Sequence, residues 1–166
     1  MQVSRLFDRP IFGFSGLILS ELVLSLVCIL PCQAILVQDV PLPQDAVSDV
    51  IDLLNQDTES KINRLASQLE TKNGAEVRVV TVPETHPAQS PRDFALELFN
   101  TWKIGKPNQD NGVLLLYSKK DDRVEIVTGW GLIDTFPDAA VVNLIRQTIR
   151  PKINQGDFNT AFFSWN

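Results

Sequence analysis

The spacing of apolar residues along the chain predicts a series of helices and strands. Between Asn55 and Gly74 the apolar positions recur at helical spacing, which predicts an amphipathic helix over residues 56–72. The next segment, residues 76–82, is rich in β-branched residues and predicts a buried strand. We expect this helix and strand to begin a single domain.

A second helix, a hairpin and a third helix follow. The run S-P-R-D at residues 90–93 combines an N-cap serine, a proline at the first helical position and an acidic residue, which predicts a helix start. Residues 113–117 and 123–128 predict two strands joined by a polar turn. A third helix is expected from residue 137, and Pro151 should end or kink it.

The order of these elements predicts the fold class. The strand–helix–strand unit over residues 76–118 should be a right-handed crossover between parallel strands. The hairpin then adds an antiparallel strand, and residues 47–53 are a candidate for a further strand at the sheet edge. We therefore expect an α/β fold in which a small mixed sheet carries helices on both faces.

The first 34 residues differ in character from the rest. Two arginines precede an apolar stretch over residues 11–30, and residues 32–34 (Cys-Gln-Ala) supply the small side chains of a cleavage site. This pattern predicts a secretory signal peptide with a mature N-terminus near Ile35. The alternative is a retained membrane anchor, since a bilayer needs about 20 apolar residues. Either way we expect the domain outside the cytoplasm, with residues 35–46 as a linker.

Composition narrows the possible chemistry. The 166 residues include 15 Lys+Arg and 20 Asp+Glu, a net charge of −5, which makes nucleic-acid binding a poor expectation. Hydrophobic residues make up 44% of the chain, enough for a core. Both cysteines, Cys28 and Cys32, precede the domain, so it has no thiolate for catalysis or metal binding.

Acidic and amide side chains supply candidate metal ligands. Asp110-Asn111-Gly112 lies just before the central strand, where carboxylate and amide oxygens could bind Ca²⁺ and the glycine permits close backbone approach. The alternative is a simple turn, because these residues are turn formers. Asp49 and Asp52 precede the first helix and are further candidates. The alternative interpretation is that both are simply solvated carboxylates.

A glycine-flanked tryptophan follows the last strand. Gly129-Trp130-Gly131 predicts a strained loop at a sheet end, where α/β proteins usually bind ligands. The alternative is a structural turn with Trp130 packed against the core. His86 is expected at the surface, and residues 119–122 are expected to be a soluble hairpin tip.

The sequence lacks the common catalytic motifs. It contains no Gly-rich phosphate loop, G-x-S-x-G elbow or H-E-x-x-H helix, so a covalent hydrolase is not supported and no catalytic residue is assigned. Slow metal-assisted hydrolysis stays open.

Taken in order, these segments resemble the TPM domain family. The resemblance is carried by W-x-I-G at residues 102–105, D-N-G-V-L-L-L at 110–116 and G-x-G-L at 129–132. It extends over roughly residues 47–163. Relatives usually continue the last helix past Phe163, so the resemblance implies a TPM-like domain over residues 47–166 with a truncated last helix.

The resemblance implies more than a fold. It implies a three-layer α/β/α sandwich outside the cytoplasm, calcium binding and, in plant relatives, a weak acid phosphatase activity. The residues at positions 92–94 (Arg-Asp-Phe) and 137–138 (Pro-Asp) look most like those of the cyanobacterial and plastid branch, which acts in the thylakoid lumen in the repair of photosystem II.

These lines combine into one expectation. An exported domain of the thylakoid lumen or periplasm should bind Ca²⁺ weakly through Asp49, Asp110 and Asn111, with the loop at residues 129–131 closing the site. Its partner would be a membrane protein complex, photosystem II by the resemblance, with no nucleic acid and no organic cofactor. The alternatives are a metal-dependent acid phosphatase of low activity and a protein-interaction module without a ligand.

Overall fold

The structure is a computed structural model that describes residues 35–163. The predicted signal or anchor, residues 1–34, lies outside the described residues, as do residues 164–166. Within the described part no helix combines the length and apolar character needed to cross a membrane.

Four strands and five α-helices lie within residues 35–163. The strands are β1 (Val47–Asp49), β2 (Glu76–Val82), β3 (Gly112–Ser118) and β4 (Arg123–Thr128). The helices are α1 (Gln56–Asn73), α2 (Pro91–Trp102), α3 (Asp138–Leu144), α4 (Arg150–Asn154) and α5 (Phe158–Phe163). A π-helical turn, Ile145–Ile149, joins α3 to α4, and short 3₁₀ turns occupy Val37–Asp39 and Trp130–Leu132.

The strands form one mixed sheet in the order β1-β2-β3-β4. β1 and β3 both run parallel to β2, and β4 pairs antiparallel with β3 through the hairpin. The parallel crossover, the hairpin and the edge strand near residue 47 are therefore confirmed.

Each face of the sheet carries its own hydrophobic core. On one face α1 and α5 pack over a core that includes Ile62, Val79 and Phe162. On the other face α2 covers a core that includes Val80 and Phe94. This alternation along β2 is the period of two that places successive strand residues on opposite faces. The expected three-layer α/β/α sandwich is thus confirmed.

Local caps explain where the first two helices begin and end. The Asn55 side chain accepts a hydrogen bond from the Thr58 backbone N–H at 2.8 Å, and Gly74 ends α1 in the left-handed conformation. The Ser90 hydroxyl accepts the N–H of Asp93 at 3.1 Å at the start of α2.

Two expectations differ from the structure. Of the two alternatives predicted for Pro151, the end of the third helix is wrong, because helical residues continue to Asn154. The N–H of Arg150 instead donates to the Ile145 carbonyl five residues earlier, and this wider turn accommodates a residue without an N–H. Residues 35–46 are not a free linker, because Val37 and Val40 are buried in the core under α2.

Candidate functional site

The loops before β3 and after β4 meet at the amino end of the parallel strands. We call residues 105–112 and 129–131 together the amino-edge loops. The N–H of Gly129 donates to the Gly112 carbonyl at 2.9 Å, and that of Gly131 donates to the Asp110 carbonyl at 3.0 Å. The structure therefore brings together two of the predicted features, the D-N-G run and the G-W-G loop.

Close backbone packing accounts for the glycines of this loop. A Cβ on Gly129 would lie 2.0 Å from the Asp110 carbonyl oxygen, and one on Gly131 would lie 1.7 Å from that of Gln109. Trp130 between them is 80% exposed, so the alternative in which it packs against the core is wrong. The two glycines therefore hold two backbones together and present the indole ring to solvent.

The Asn111 side chain is committed to the protein itself. Its amide oxygen accepts the Lys106 N–H at 2.9 Å, and its NH₂ group donates to the Gly74 carbonyl and to Gln109 Oε1, each at 2.8 Å. The residue is only 7% exposed. Asn111 is therefore a clamp between its own loop and the end of α1, which favours the turn interpretation of the D-N-G run. Asp110 is exposed beside it.

Asp49 lies at the opposite end of the sheet from Asp110. Asp49 pairs with Thr81, which pairs with Tyr117, whereas Asp110 precedes Gly112. The five steps along the strand from Gly112 to Tyr117 span about 17 Å at roughly 3.3 Å per residue. The prediction that Asp49 joins Asp110 and Asn111 in one metal site is wrong, because Asp49 lies at the carboxyl end of the parallel strands and the other two residues lie at the amino end.

Asp49 is held firmly at the carboxyl end of β1. One carboxylate oxygen accepts a hydrogen bond from the Thr81 hydroxyl. The other accepts the Leu54 backbone N–H at 2.6 Å, which closes the loop that leads into α1. Because a carboxylate offers about four lone-pair sites, each oxygen keeps capacity for one more partner.

Two further carboxylates lie near this end of β1. We call Asp49, Asp52 and Glu59 the acidic edge. Burial raises the pKa of the Glu59 carboxyl above its ordinary value of 4.5, and the charges of Asp49 and Asp52 raise it further. Two negative charges therefore act on Glu59 in the first turn of α1, and a cation would offset their repulsion. Sequence reasoning missed Glu59, whose signal is its place in the first helical turn after the two aspartates.

A fourth acidic residue at this end has a structural role. Asp121 accepts hydrogen bonds from the Ser118 hydroxyl and from the Thr85 N–H and hydroxyl, the last two at 3.0 and 2.7 Å. Burial opposes its ionisation, but these hydrogen bonds outweigh that effect and lower the pKa of Asp121. Asp121 thus ties the hairpin to the segment after β2, a role that its expected place at a soluble tip did not suggest. His86 is exposed, as expected.

The donor groups decide which residues could hold a metal. Among residues 35–163 no group of three or more His, Cys, Asp or Glu side chains is arranged to enclose an ion. The amino-edge loops do not fit Ca²⁺, because Asn111 is engaged and Asp110 is the one carboxylate of the pair. The acidic edge offers the carboxylate oxygens that Ca²⁺ prefers, but water would have to complete the coordination shell.

The family assignment follows from the comparison with known proteins. The profile of the TPM domain matches residues 47–164, more than half of the chain. The chain belongs to the TPM domain family. No curated protein matches the chain significantly.

Solved structures share this TPM fold. The N-terminal domain of a protein from P. gingivalis is 27% identical with a TM-score of 0.72, covering 79% of this chain and 86% of that one. An N-terminal domain from Corynebacterium glutamicum is 13% identical with a TM-score of 0.57, covering 74% and 75%. The BA42 protein from the psychrophilic bacterium Bizionia argentinensis is 23% identical with a TM-score of 0.57, covering 69% and 77%. The last two show the fold alone.

Proposed function

We propose that this TPM domain is a weak Ca²⁺ binder whose site is the acidic edge. The observation that carries the proposal is that Asp49, fixed at the carboxyl end of β1 by Thr81 and Leu54, and Asp52 both lie near enough to Glu59 to help burial raise its pKa. Open α/β sheets usually bind their ligands at this end of the parallel strands. The position of the three carboxylates therefore agrees with the general location of α/β ligand sites.

The same residues limit the affinity. Both oxygens of Asp49 already accept hydrogen bonds, so it supplies a fixed negative charge and at most one free lone pair on each oxygen. Asp52 is exposed and Glu59 half-buried, and both would turn toward the ion. A site with few protein ligands and several waters implies dissociation constants of roughly 10⁻⁴–10⁻³ M.

Calorimetric titration of the purified protein with Ca²⁺ tests the proposal. Asp52→Asn and Glu59→Gln should each weaken binding by about tenfold, because each removes one negative charge at nearly constant shape. Asp110→Asn and Asp138→Asn are the matched controls and should bind as the unaltered protein does. Unchanged affinity in the Asp52→Asn/Glu59→Gln double variant, or loss of binding in Asp110→Asn alone, would place the ion elsewhere.

The biological setting extends this proposal. The signal-like residues 1–34 support export to the thylakoid lumen or periplasm, either as a cleaved form or held by an N-terminal anchor. The sequence resemblance to the cyanobacterial and plastid branch supports a role in maintaining a membrane complex, photosystem II. Recovery of oxygen evolution after strong light should slow when the gene is deleted. The double variant Asp52→Asn/Glu59→Gln should then restore recovery less well than the unaltered gene, whereas unimpaired recovery in the deletion would contradict this role.

A weak metal-dependent phosphatase is the competing outcome. Hydrolysis of p-nitrophenyl phosphate that requires Ca²⁺ and disappears in Glu59→Gln would assign catalysis to the acidic edge. Loss of that activity in His86→Ala would instead identify the exposed histidine as a base.

A further inference from the structure

A cavity of about 230 Å³ lies on the face of the sheet that α1 and α3 cover. Its floor is the amino half of the central strands, where Val77, Val79 and Leu115 are almost fully buried. Its rim includes Leu69 of α1, Phe136 before α3 and Leu144 at the end of α3. The cavity is separate from the acidic edge, because none of Asp49, Asp52 and Glu59 lines it.

The packing of the same face explains why space is left here. At the carboxyl end of the strands Phe158 and Phe162 of α5 pack on Tyr117, with ring centroids 5.6 and 5.9 Å away. Ile149 and Ile153 fill the core beside them. Toward the amino end, by contrast, α3 and the turn before it cover the strands without filling the space above Val77. An apolar pocket that opens to solvent at its rim is left over these strands.

The lining defines the chemistry of an occupant. None of the lining residues is charged, and the polar groups among them are the Asn73 amide and the Thr135 hydroxyl. The Asn73 oxygen already accepts the Ala75 N–H at 3.1 Å, which leaves its NH₂ group to donate. An acyl chain with an anionic head would meet no cation here, whereas a neutral ring with one polar atom matches both the walls and the rim.

We propose that this cavity is a binding site for a neutral aromatic molecule of one or two fused rings. The size agrees, because an apolar cavity of about 150 Å³ suffices to bind benzene. The proposal goes beyond calcium binding and does not depend on it. Its residues lie on the core face of α1 and of the strands, so an occupant would bridge α1 to α3.

Titration of the purified protein with indole in EDTA tests this site. Methyl NMR signals of Val77, Leu115 and Leu144 should shift saturably, and sodium decanoate should leave them unchanged. Indole binding that leaves these methyls unmoved, or tighter binding of decanoate than of indole, would overturn the proposal.

Variants that fill the cavity provide the second measurement. Ala75→Leu and Val113→Phe each add side-chain volume at the lining and should weaken indole binding by at least tenfold. Ala139→Leu, at an exposed position of α3, is the matched control and should bind normally. Leu144→Ala enlarges the space and should gain affinity for a larger ring compound, naphthalene. Glu59→Gln, at the acidic edge, should leave the indole affinity unaffected. Unchanged indole affinity in both filling variants, with their folds intact by circular dichroism, would contradict the assignment.

Discussion

The Asp110 carbonyl accepts the backbone N–H of Gly131 at 3.0 Å, which fixes the loop after β4 against the loop before β3. The contact is possible because neither glycine of the G-W-G loop has a side chain at the point where the two backbones meet. These loops are therefore a structural joint at the amino end of the sheet, and their rigidity should be visible in stability rather than in metal binding.

A methyl group at residue 131 should break this joint. In Gly131→Ala the new Cβ would lie 1.7 Å from the Gln109 carbonyl oxygen, and the clash is with backbone that cannot move freely. We expect the free energy of unfolding to fall by on the order of 1–3 kcal/mol, measured by denaturant titration. Gly156→Ala is the control: nothing lies within 4 Å of its Cβ, so only its positive φ of 75° adds strain. Equal stability of Gly131→Ala and the unaltered protein would contradict the close packing.

The Asn111 clamp predicts a pH-dependent loss of stability. Asn111→Asp replaces the NH₂ donor with an oxygen that faces the Gly74 carbonyl, so two acceptors oppose each other in a buried position. The loss should be about 1–3 kcal/mol at neutral pH. It should shrink in acid as the new carboxyl is protonated and can donate again. Asn108→Asp, at an exposed loop position, serves as the control. A variant as stable as the unaltered protein at neutral pH would show that the clamp is dispensable.

Asp121 should contribute to acid sensitivity. Its pKa is lowered in the folded protein from an ordinary value of 3.8, so the native state binds its proton more weakly than the unfolded chain does. The stabilisation is therefore complete above pH 3.8 and is lost as pH falls through the lower folded value. Asp121→Asn should melt earlier at neutral pH and show a flatter dependence in acid. Asp134→Asn, on an exposed loop, should retain the full dependence. If the melting temperatures of the unaltered protein, Asp121→Asn and Asp134→Asn fell in parallel as the pH is lowered, this role would be contradicted.

The effect of Glu59 on the pH dependence of stability should be opposite in sign to that of Asp121. Its pKa is raised from 4.5, so the folded protein binds this proton more tightly than the unfolded chain and loses stability as pH rises through the raised value. Glu59→Gln should therefore raise the free energy of unfolding at neutral pH by on the order of 0.5 kcal/mol, the scale of partly exposed charge interactions, and with it the melting temperature. The difference should vanish below pH 4.5. Glu97→Gln, on the exposed side of α2, is the control, and a lower melting temperature for Glu59→Gln would rule out the repulsion.

Local sequence signals determined most of the elements. The caps of α1 and α2 and the strand bounds could be predicted because neighbouring residues form them. The continuation of the helix through Pro151 could not be predicted in this way, since the π-helical turn that accommodates the proline depends on packing of the whole helix.

The candidate site depended on contacts between distant residues. Asp49 and Asp110 look equally suited to bind Ca²⁺, and only the register of β1 and β3 against β2 shows that they lie at opposite edges. Glu59 reaches the same edge as Asp49 because α1 begins there, which no motif indicated. Asp121 likewise acquires its role from Thr85, 36 residues away along the chain.

The most direct test of the acidic edge is a backbone-amide NMR titration of the protein with Ca²⁺ to about 10 mM, well above the expected dissociation constants. We predict saturable shifts concentrated at residues 49–59 and at Thr81, with residues 105–112 and 129–131 unmoved. Shifts concentrated in the amino-edge loops, or no saturable shift at residues 49–59, would contradict the proposed site.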